Sequence, residues 1–490
     1  MTPDGNYHRL RPNAVGIFDM ILMVIAATAP LTAVASNLSL SLAFGAGTGT
    51  VGVLVLVLAI LLVFSAGYVA LSRQVVNAGA YFAYIGFGLG RRMGGASAPV
   101  ATLAYNVAAA GMSVAVGHFG HAGLSAYLGV NVPWWVIALV AVAATWVVGY
   151  FGVTIAGKVN VFVAVTEFAV LLAFAIAVLV RRPGGFSFDV LAPGSVFGGN
   201  FGLAVVFRIL SFAGYEAAAI YGEEARSARR NVGRATYSAL IVLAVTFVFV
   251  MWAIAAAFPD AAATAQADPG ALLVSAITAY LGGWAGPVLS LMITFSFFAA
   301  ALSFHAIASR YMFSLARDGF LPRALSRVHH RRRTPVSAGT VQLVVCVLVV
   351  VPFAVAGADP IATYFPAVSG ITALAIIYLM AACSASIVTA AARGRISGST
   401  WAVRVAPSIA CVALMSCGVV IVAHYTEITG SGSPVISALP LTLVAAAYGW
   451  LAARTRAARR RSASATRTGR CGRPPRRGTW RSRPSAAAGP

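Results

Sequence analysis

Apolar residues in this chain come in runs of roughly 20, the length an α-helix needs to cross a bilayer, and most charged residues fall between the runs. Twelve such runs are legible, at about 15–42, 50–72, 94–128, 133–152, 157–180, 200–224, 236–258, 285–316, 337–357, 361–391, 402–424 and 433–453. The pattern predicts an all-α membrane protein with about 12 transmembrane helices. The chain then divides into a polar lead (1–14), a membrane domain (15–453) and a tail (454–490).

Two runs carry features that a continuous lipid-facing helix would not tolerate. The first contains Ala26-Ala-Thr-Ala-Pro-Leu-Thr32. Pro30 removes a backbone donor and clashes with the preceding turn, while Thr28 and Thr32 can satisfy freed groups. About 185 residues later the sixth run reads Arg208-Ile-Leu-Ser-Phe-Ala-Gly-Tyr-Glu216, with Arg, Gly and an acid at membrane depth. A break at Phe212-Ala213-Gly214 would leave backbone groups free, which is allowed there only if protein or a cavity surrounds them. Interrupted helices at corresponding positions of two five-helix halves point to the binding site of a transporter built from inverted repeats. The last two crossings lie outside that symmetry.

Further polar positions sit inside other runs. Glu167 lies near the middle of the fifth, so it is paired, protonated or facing a wet path. Tyr105 and Asn106 in the third bond a neighbouring helix or face a cavity. His305 in the eighth reads as a packing residue more readily than as a proton carrier. The segment Asn77–Arg92, aromatic and punctuated by glycine, suits an interfacial helix.

Composition agrees with the pattern: 60% hydrophobic, 10% charged and a mean hydropathy of +0.86, where a soluble domain carries roughly 25% charged residues. The formal charge of +23 would suggest nucleic acid in a soluble protein, but its distribution argues against such a partner. Arg181 and Arg182 occupy a loop on one side, and the opposite loops hold Arg73, Arg91, Arg92, Lys158, Arg226–Arg234, Arg317–Arg333 and Arg393–Arg404. That asymmetry places both termini in the cytoplasm. The tail holds twelve Arg and no acid, a composition that cannot bury a core. The five cysteines show no metal spacing and read as small core residues. Neither a phosphate-cradling GxxxxGK[ST] nor a Gly-x-Ser-x-Gly or His-Glu-x-x-His constellation is present, so neither an ATP-driven pump nor an enzyme is expected. No cleavable leader, metal or cofactor is expected either.

Several motifs together name a family. Phe212-Ala-Gly-Tyr-Glu216, Gly222-Glu-Glu-Ala-Arg226, Ser309-Arg-Tyr-Met-Phe-Ser-Leu-Ala-Arg-Asp-Gly-Phe-Leu-Pro322 and Arg333-Thr-Pro335 resemble the amino acid-polyamine-organocation permeases, as does Asn77-Ala-Gly-Ala-Tyr81 with Gly88-Leu-Gly90. Two departures stand out. Ala228 and Gly233 stand where relatives usually carry prolines, and the first break has less glycine than is common. The resemblance implies a leucine-transporter-like fold of five plus five inverted helices, with helices 1 and 6 broken. It implies an amino acid carboxylate held on amides near Thr28 and Ala29, and an ammonium on carbonyls of Ala26, Leu210 and Ala213, with Gly214 beside them. Phe212 and Phe304 would wall the side chain. Unpaired N–H groups at a half-helix start attract an anion, and unpaired C=O groups a cation.

The expected function is secondary transport of an amino acid or related amine across the cell membrane by alternating access. A proton is the preferred coupling ion over sodium, because Glu216 and Glu167 are titratable groups in poorly solvated surroundings. Glu216 serves proton coupling or gating, or else bonds the freed amides of its own break. Arg208 is assigned to a gate or a structural pairing. An exchanger without net proton coupling, and a receptor that binds amino acids without moving them, are the rivals. The sequence is silent on the particular substrate and on oligomeric state.

Overall fold

A computed structural model describes residues 10–429 apart from 358–359 and 361–364. The expected twelfth crossing at 433–453, the basic tail and Cys471 lie outside the described residues. Within them the chain is helical, with one isolated parallel bridge between Val15 and Ala225. Ten helices are long and apolar enough to cross a membrane. They correspond to the first five and the seventh to eleventh expected runs.

The sixth run is absent from those ten for a physical reason. It is two short pieces, Phe201–Ser211 and Ala217–Ile220, followed by a 3₁₀ turn at Tyr221–Glu224. Asn200 starts the first piece by accepting the Leu203 N–H at 3.0 Å, as an N-cap does. The first crossing is also divided, into Ile17–Thr28 and Pro30–Ala33, and then continues through a π-turn at Val34–Leu38 to Ser39–Phe44. Its start is closed by the Asp19 carboxylate, which accepts the Gly16 N–H at 3.1 Å. Elsewhere helices overrun the apolar runs at their arginine-rich ends; the seventh spans Ala228–Ala257, not 236–258. Intrahelical hydrogen bonds continue into water as readily as in lipid, so hydropathy marks the membrane and not the helix end.

The first, third, sixth, eighth and tenth crossings meet in one large core. The eighth (Ala285–Arg317) packs most extensively against the third (Arg91–Leu128). Val140, Phe162, Leu348 and Val412, on the fourth, fifth, ninth and eleventh crossings, stay exposed; these faces belong against lipid. The protein is thus a multi-pass membrane protein. The segment expected as an interfacial helix forms the short helix Ala80–Leu89, with much of its surface packed into the protein. Tyr81, Phe82, Tyr84 and Ile85 are buried, and Ser386 of the tenth crossing accepts the Gly88 N–H at 3.0 Å and donates to the Tyr84 carbonyl at 2.6 Å. Tyr81, Phe82 and Tyr84 join the core.

Where loop 45–49 meets the start of the sixth crossing, backbones approach closely. The Asn200 N–H donates to the Gly45 carbonyl at 3.0 Å, and a Cβ on Gly49 would overlap Ser195. Helices Ala261–Ala267 and Leu272–Leu281 follow the seventh crossing, and Gln266 ties the first of them to the Ala43 carbonyl at 2.9 Å.

Candidate functional site

At the first break Ala29 adopts a left-handed conformation, φ 45° and ψ 80°. Its N–H closes the preceding helix by donating to Ile25 and Ala26 carbonyls at 3.1 and 3.3 Å, and the Thr28 hydroxyl donates to Ile25 at 2.6 Å. Pro30 then starts the next piece, where its missing donor costs nothing. The orphan amides of that new start are Leu31 and Thr32. Leu31 donates to Glu167 Oε2 at 3.2 Å and Thr32 to Ser296 Oγ at 3.1 Å. The Thr32 and Ser296 hydroxyls are 2.7 Å apart.

The sixth break is organised differently. Phe212 and Ala213 donate back to Ile209 and Leu210 carbonyls at 3.1 and 3.0 Å, after which Gly214 turns the chain at φ 103°. The Gly214 N–H donates to Glu216 Oε2 at 3.0 Å, and the Tyr105 hydroxyl donates to Oε1 at 2.6 Å. The Glu216 carbonyl accepts from the Tyr68 hydroxyl at 3.0 Å. Glu167 and Glu216 are both buried.

The two breaks touch. A Cβ built on Gly214 would stand 3.1 Å from the carbonyl carbon and oxygen of Ala27, so glycine is what lets the backbones meet. Ala26, Thr28, Ala29, Leu210 and Phe212 are buried around this contact, and Ala213 is half-buried. Phe304 stacks on Tyr105 with centroids 6.2 Å apart, Tyr105 stacks on Tyr311 at 5.1 Å, and Phe212 meets Phe247 edge-on at 5.4 Å. The Ala29 amide is engaged within its own helix end; the amides that depend on distant partners are Leu31 and Thr32, a turn further on. Ala26 and Leu210 carbonyls each accept one bond and keep a second lone pair.

Arg208 is buried and forms no ion pair among the described residues. Its Nη2 donates to Thr50 Oγ1 at 2.6 Å and to the Leu38 carbonyl at 3.4 Å. His305 is buried against Gln342. At the arginine-rich end, Glu224 takes two bonds from Arg310 at 2.6 and 3.1 Å, and Glu223 two from Arg317 at 2.9 and 2.6 Å. These pairs join the end of the sixth crossing to the eighth.

Sequence reasoning missed Ser296, Tyr68 and Thr50. A signal for the first was present. Asn160 and Glu167 lie seven residues apart on the fifth crossing, as do Ser296 and Ser303 on the eighth, so each pair shares a helix face. The two faces meet: Asn160 Nδ2 donates to Ser303 Oγ at 2.8 Å, two turns below the Glu167 contact. No group of three or more His, Cys, Asp or Glu that could hold a metal occurs among the described residues.

Comparison with known proteins places this geometry. A solved manganese transporter from Eremococcus coleocola, in complex with an aromatic bis-isothiourea substituted compound, aligns over 94% of this chain and 99% of that one, with a TM-score of 0.51 and 12% identity. That likeness speaks for the fold alone, the leucine-transporter-like arrangement with first and sixth helices broken. Curated relatives include the branched-chain amino acid permease BcaP of Bacillus subtilis, 25% identical over 42% of each chain. The low-affinity putrescine importer PlaP of Escherichia coli is 30% identical over 26% of this chain and 27% of that one. The L-lysine transport protein of Corynebacterium glutamicum is 26% identical over 40% of each. The chain thus spans less than half the length of these relatives. A family model described as amino acid permease matches residues 15–447, and with nearly all of the membrane domain inside that match, the chain belongs to the amino acid permease family.

Proposed function

We propose that the protein is a secondary active transporter of an amino acid or related amine, working by alternating access in the cytoplasmic membrane with both termini inside. The observation that carries this reading is the contact of Gly214 with Ala27 beside the left-handed Ala29. Two helices interrupted at the same depth and pressed together put peptide dipoles, not side-chain charges, in a position to hold a zwitterion. The proposed cradle is Ala26, Thr28, Ala29, Leu210, Ala213 and Gly214, with Phe212 and Phe304 as walls. Branched-chain amino acids, lysine and putrescine, the cargoes in the relatives' names, share an ammonium group. Two buried carboxylates flank the break, while Arg208 is turned to Thr50 and Leu38, which suits a substrate carrying that group.

Glu167 is the proposed proton carrier and Glu216 the group that sets the sixth break. An ionised Glu167 holds the Leu31 amide by a charge-assisted bond. Protonation weakens that bond and releases the amide, and with it the start of the outer half-helix, toward the substrate's carboxylate. Exchange without net proton movement is the second reading, in which Glu167 stays ionised on the Leu31 amide throughout.

Radiolabelled uptake into proteoliposomes under an imposed proton gradient, with a panel of unlabelled amino acids and diamines as competitors, tests both. Accumulation that collapses with a protonophore supports coupling. Counter-flow insensitive to pH supports exchange, and no movement of any competitor-sensitive label overturns transport.

A further inference from the structure

Two cavities open side by side at the arginine-rich end of the molecule. The first, about 500 Å³, is lined by Arg11, Arg226, Arg331 and Arg332, with Phe151 and Glu224. The second, about 610 Å³, is lined by Met23, Lys158, Val161, Phe162 and Val165, with Asp19. They share Ala14 and Arg226, so one continues into the other. Each has the size of a small-molecule site.

Four guanidiniums around one cavity call for a counter-charge, and none of the four has an ion-pair partner among the described residues. The Glu224 carboxylate is spent on Arg310. Arg226 Nε reaches only the Asn13 carbonyl, at 3.2 Å. Arg332 lies over the rings of Tyr150 and Phe151, 4.5 and 4.3 Å from their centroids, and its Nη1 is buried without a hydrogen-bond partner. In the second cavity Asp19 is occupied at the Gly16 N–H. The wall there is apolar, and Phe162 and Val165 are 73% and 56% exposed on the outer face of the fifth crossing. The inside bias of basic residues accounts for arginines at this end. It does not account for their convergence on a cavity that runs into an apolar groove facing lipid.

We propose that the two cavities form one binding site for an anionic phospholipid, its phosphate among Arg11, Arg226, Arg331 and Arg332 and an acyl chain along Val161, Phe162 and Val165. Bidentate guanidinium recognition suits a phosphate, and the apolar groove distinguishes a lipid from a free phosphate. The site also touches a moving part of the proposed transport cycle. Ala14 borders both cavities, and its N–H donates to the Glu224 carbonyl at 2.8 Å, with Val15 and Arg226 completing the bridge. A lipid seated there braces the inner half of the first crossing against the end of the sixth. Binding itself does not rest on the transport reading.

The test uses the purified full-length protein in detergent, comparing phosphatidylglycerol, phosphatidylcholine and inorganic pyrophosphate by native mass spectrometry and thermal unfolding. Phosphatidylglycerol is expected to be retained selectively and to raise the unfolding temperature. R331Q/R332Q should weaken that binding by about fivefold for each arginine neutralised. Phe162→Ser should weaken lipid binding while leaving any pyrophosphate effect unchanged. Equal retention of both lipids overturns the proposal, as does unaltered selectivity in R331Q/R332Q. Full stabilisation by pyrophosphate alone also overturns it, since the site then takes a soluble anion. If the double variant does not fold, Arg11→Gln, in the exposed lead, serves instead: reduced selectivity supports the site, and unchanged selectivity overturns it.

Discussion

The two helix breaks solve the same problem by opposite means. The sixth closes its free amide locally: Gly214 gives it to Glu216, two residues on, and the tyrosines of neighbouring crossings bond that residue without taking the amide. The first imports its partners, Glu167 from 136 residues away and Ser296 from 264. A break closed by its own chain keeps its shape when neighbouring helices shift. A break closed by the fifth and eighth crossings changes its hydrogen bonding when those crossings move relative to the first. In the proposed transport cycle the first break is thus the one whose amides would be exposed and covered, and the sixth the fixed surface against which that would happen.

Gly214→Ala puts this to the hardest test. At φ 103° a side chain is disfavoured by about 1–2 kcal/mol, and the added carbon meets Ala27 at 3.1 Å. Unfolding temperature should fall by several degrees and uptake by about tenfold or more, since an error of about 1 Å at such a site can cost 10²-fold. Uptake near that of the parent protein would show that the contact between the breaks is not the seat of function.

The carboxylates come next. Glu167→Gln keeps an acceptor for Leu31 but removes the charge, so exchange of substrate should persist in vesicles while accumulation driven by a proton gradient is lost. Glu216→Gln keeps one accepting oxygen for Gly214 and makes the Tyr105 hydroxyl the acceptor, so two charge-assisted bonds become neutral ones. It should lower stability by about 1–3 kcal/mol and reduce exchange and accumulation together. The reverse outcome, with exchange spared only in Glu216→Gln, would exchange the roles assigned to the two acids.

Much of this arrangement was legible in the chain and some was not, for identifiable reasons. Pro30 and Gly214 announce the breaks because each changes what the local backbone can do. Glu216 also declares itself locally, since its partner amide is two residues away. The use of Ser296 was hidden: a serine in an apolar helix most often bonds its own preceding turn, as Ser113 does to Ala109, and nothing local separates that from a bond to another crossing. The alternative assigned to Tyr105, bonding a neighbouring helix, is the one found. The packing of Tyr81 and Tyr84 into the protein was not legible, because aromatic and glycine content suits a headgroup layer and a packed core alike.

Hydroxyl deletions give smaller effects and separate the two sides further. Tyr105→Phe removes a single bond to Glu216 at 2.6 Å and leaves the ring stacked between Phe304 and Tyr311. A hydrogen bond to a charged group is worth about 1.5–3 kcal/mol. Ser296→Ala removes a neutral acceptor from Thr32 and should cost about 1 kcal/mol. If the first break is the mobile one, Ser296→Ala should also alter the pH dependence of uptake, while Tyr105→Phe alters stability alone.

The smallest effect is expected where the first break carries strain. Ala29 sits at φ 45°, a region that costs an L-residue about 1–2 kcal/mol relative to glycine. Ala29→Gly relieves that strain but gives the unfolded chain more freedom, which opposes the gain by about 0.4–1 kcal/mol. The net change in unfolding temperature should be within a degree or two. Its effect on transport is the sharper reading. If the left-handed turn is held by Glu167 and Ser296, glycine loosens the hinge without moving it, and exchange should quicken or stay level. If exchange instead falls as far as in Gly214→Ala, the first break is as rigid a part of the seat as the sixth, and the distinction between a fixed and a mobile break fails.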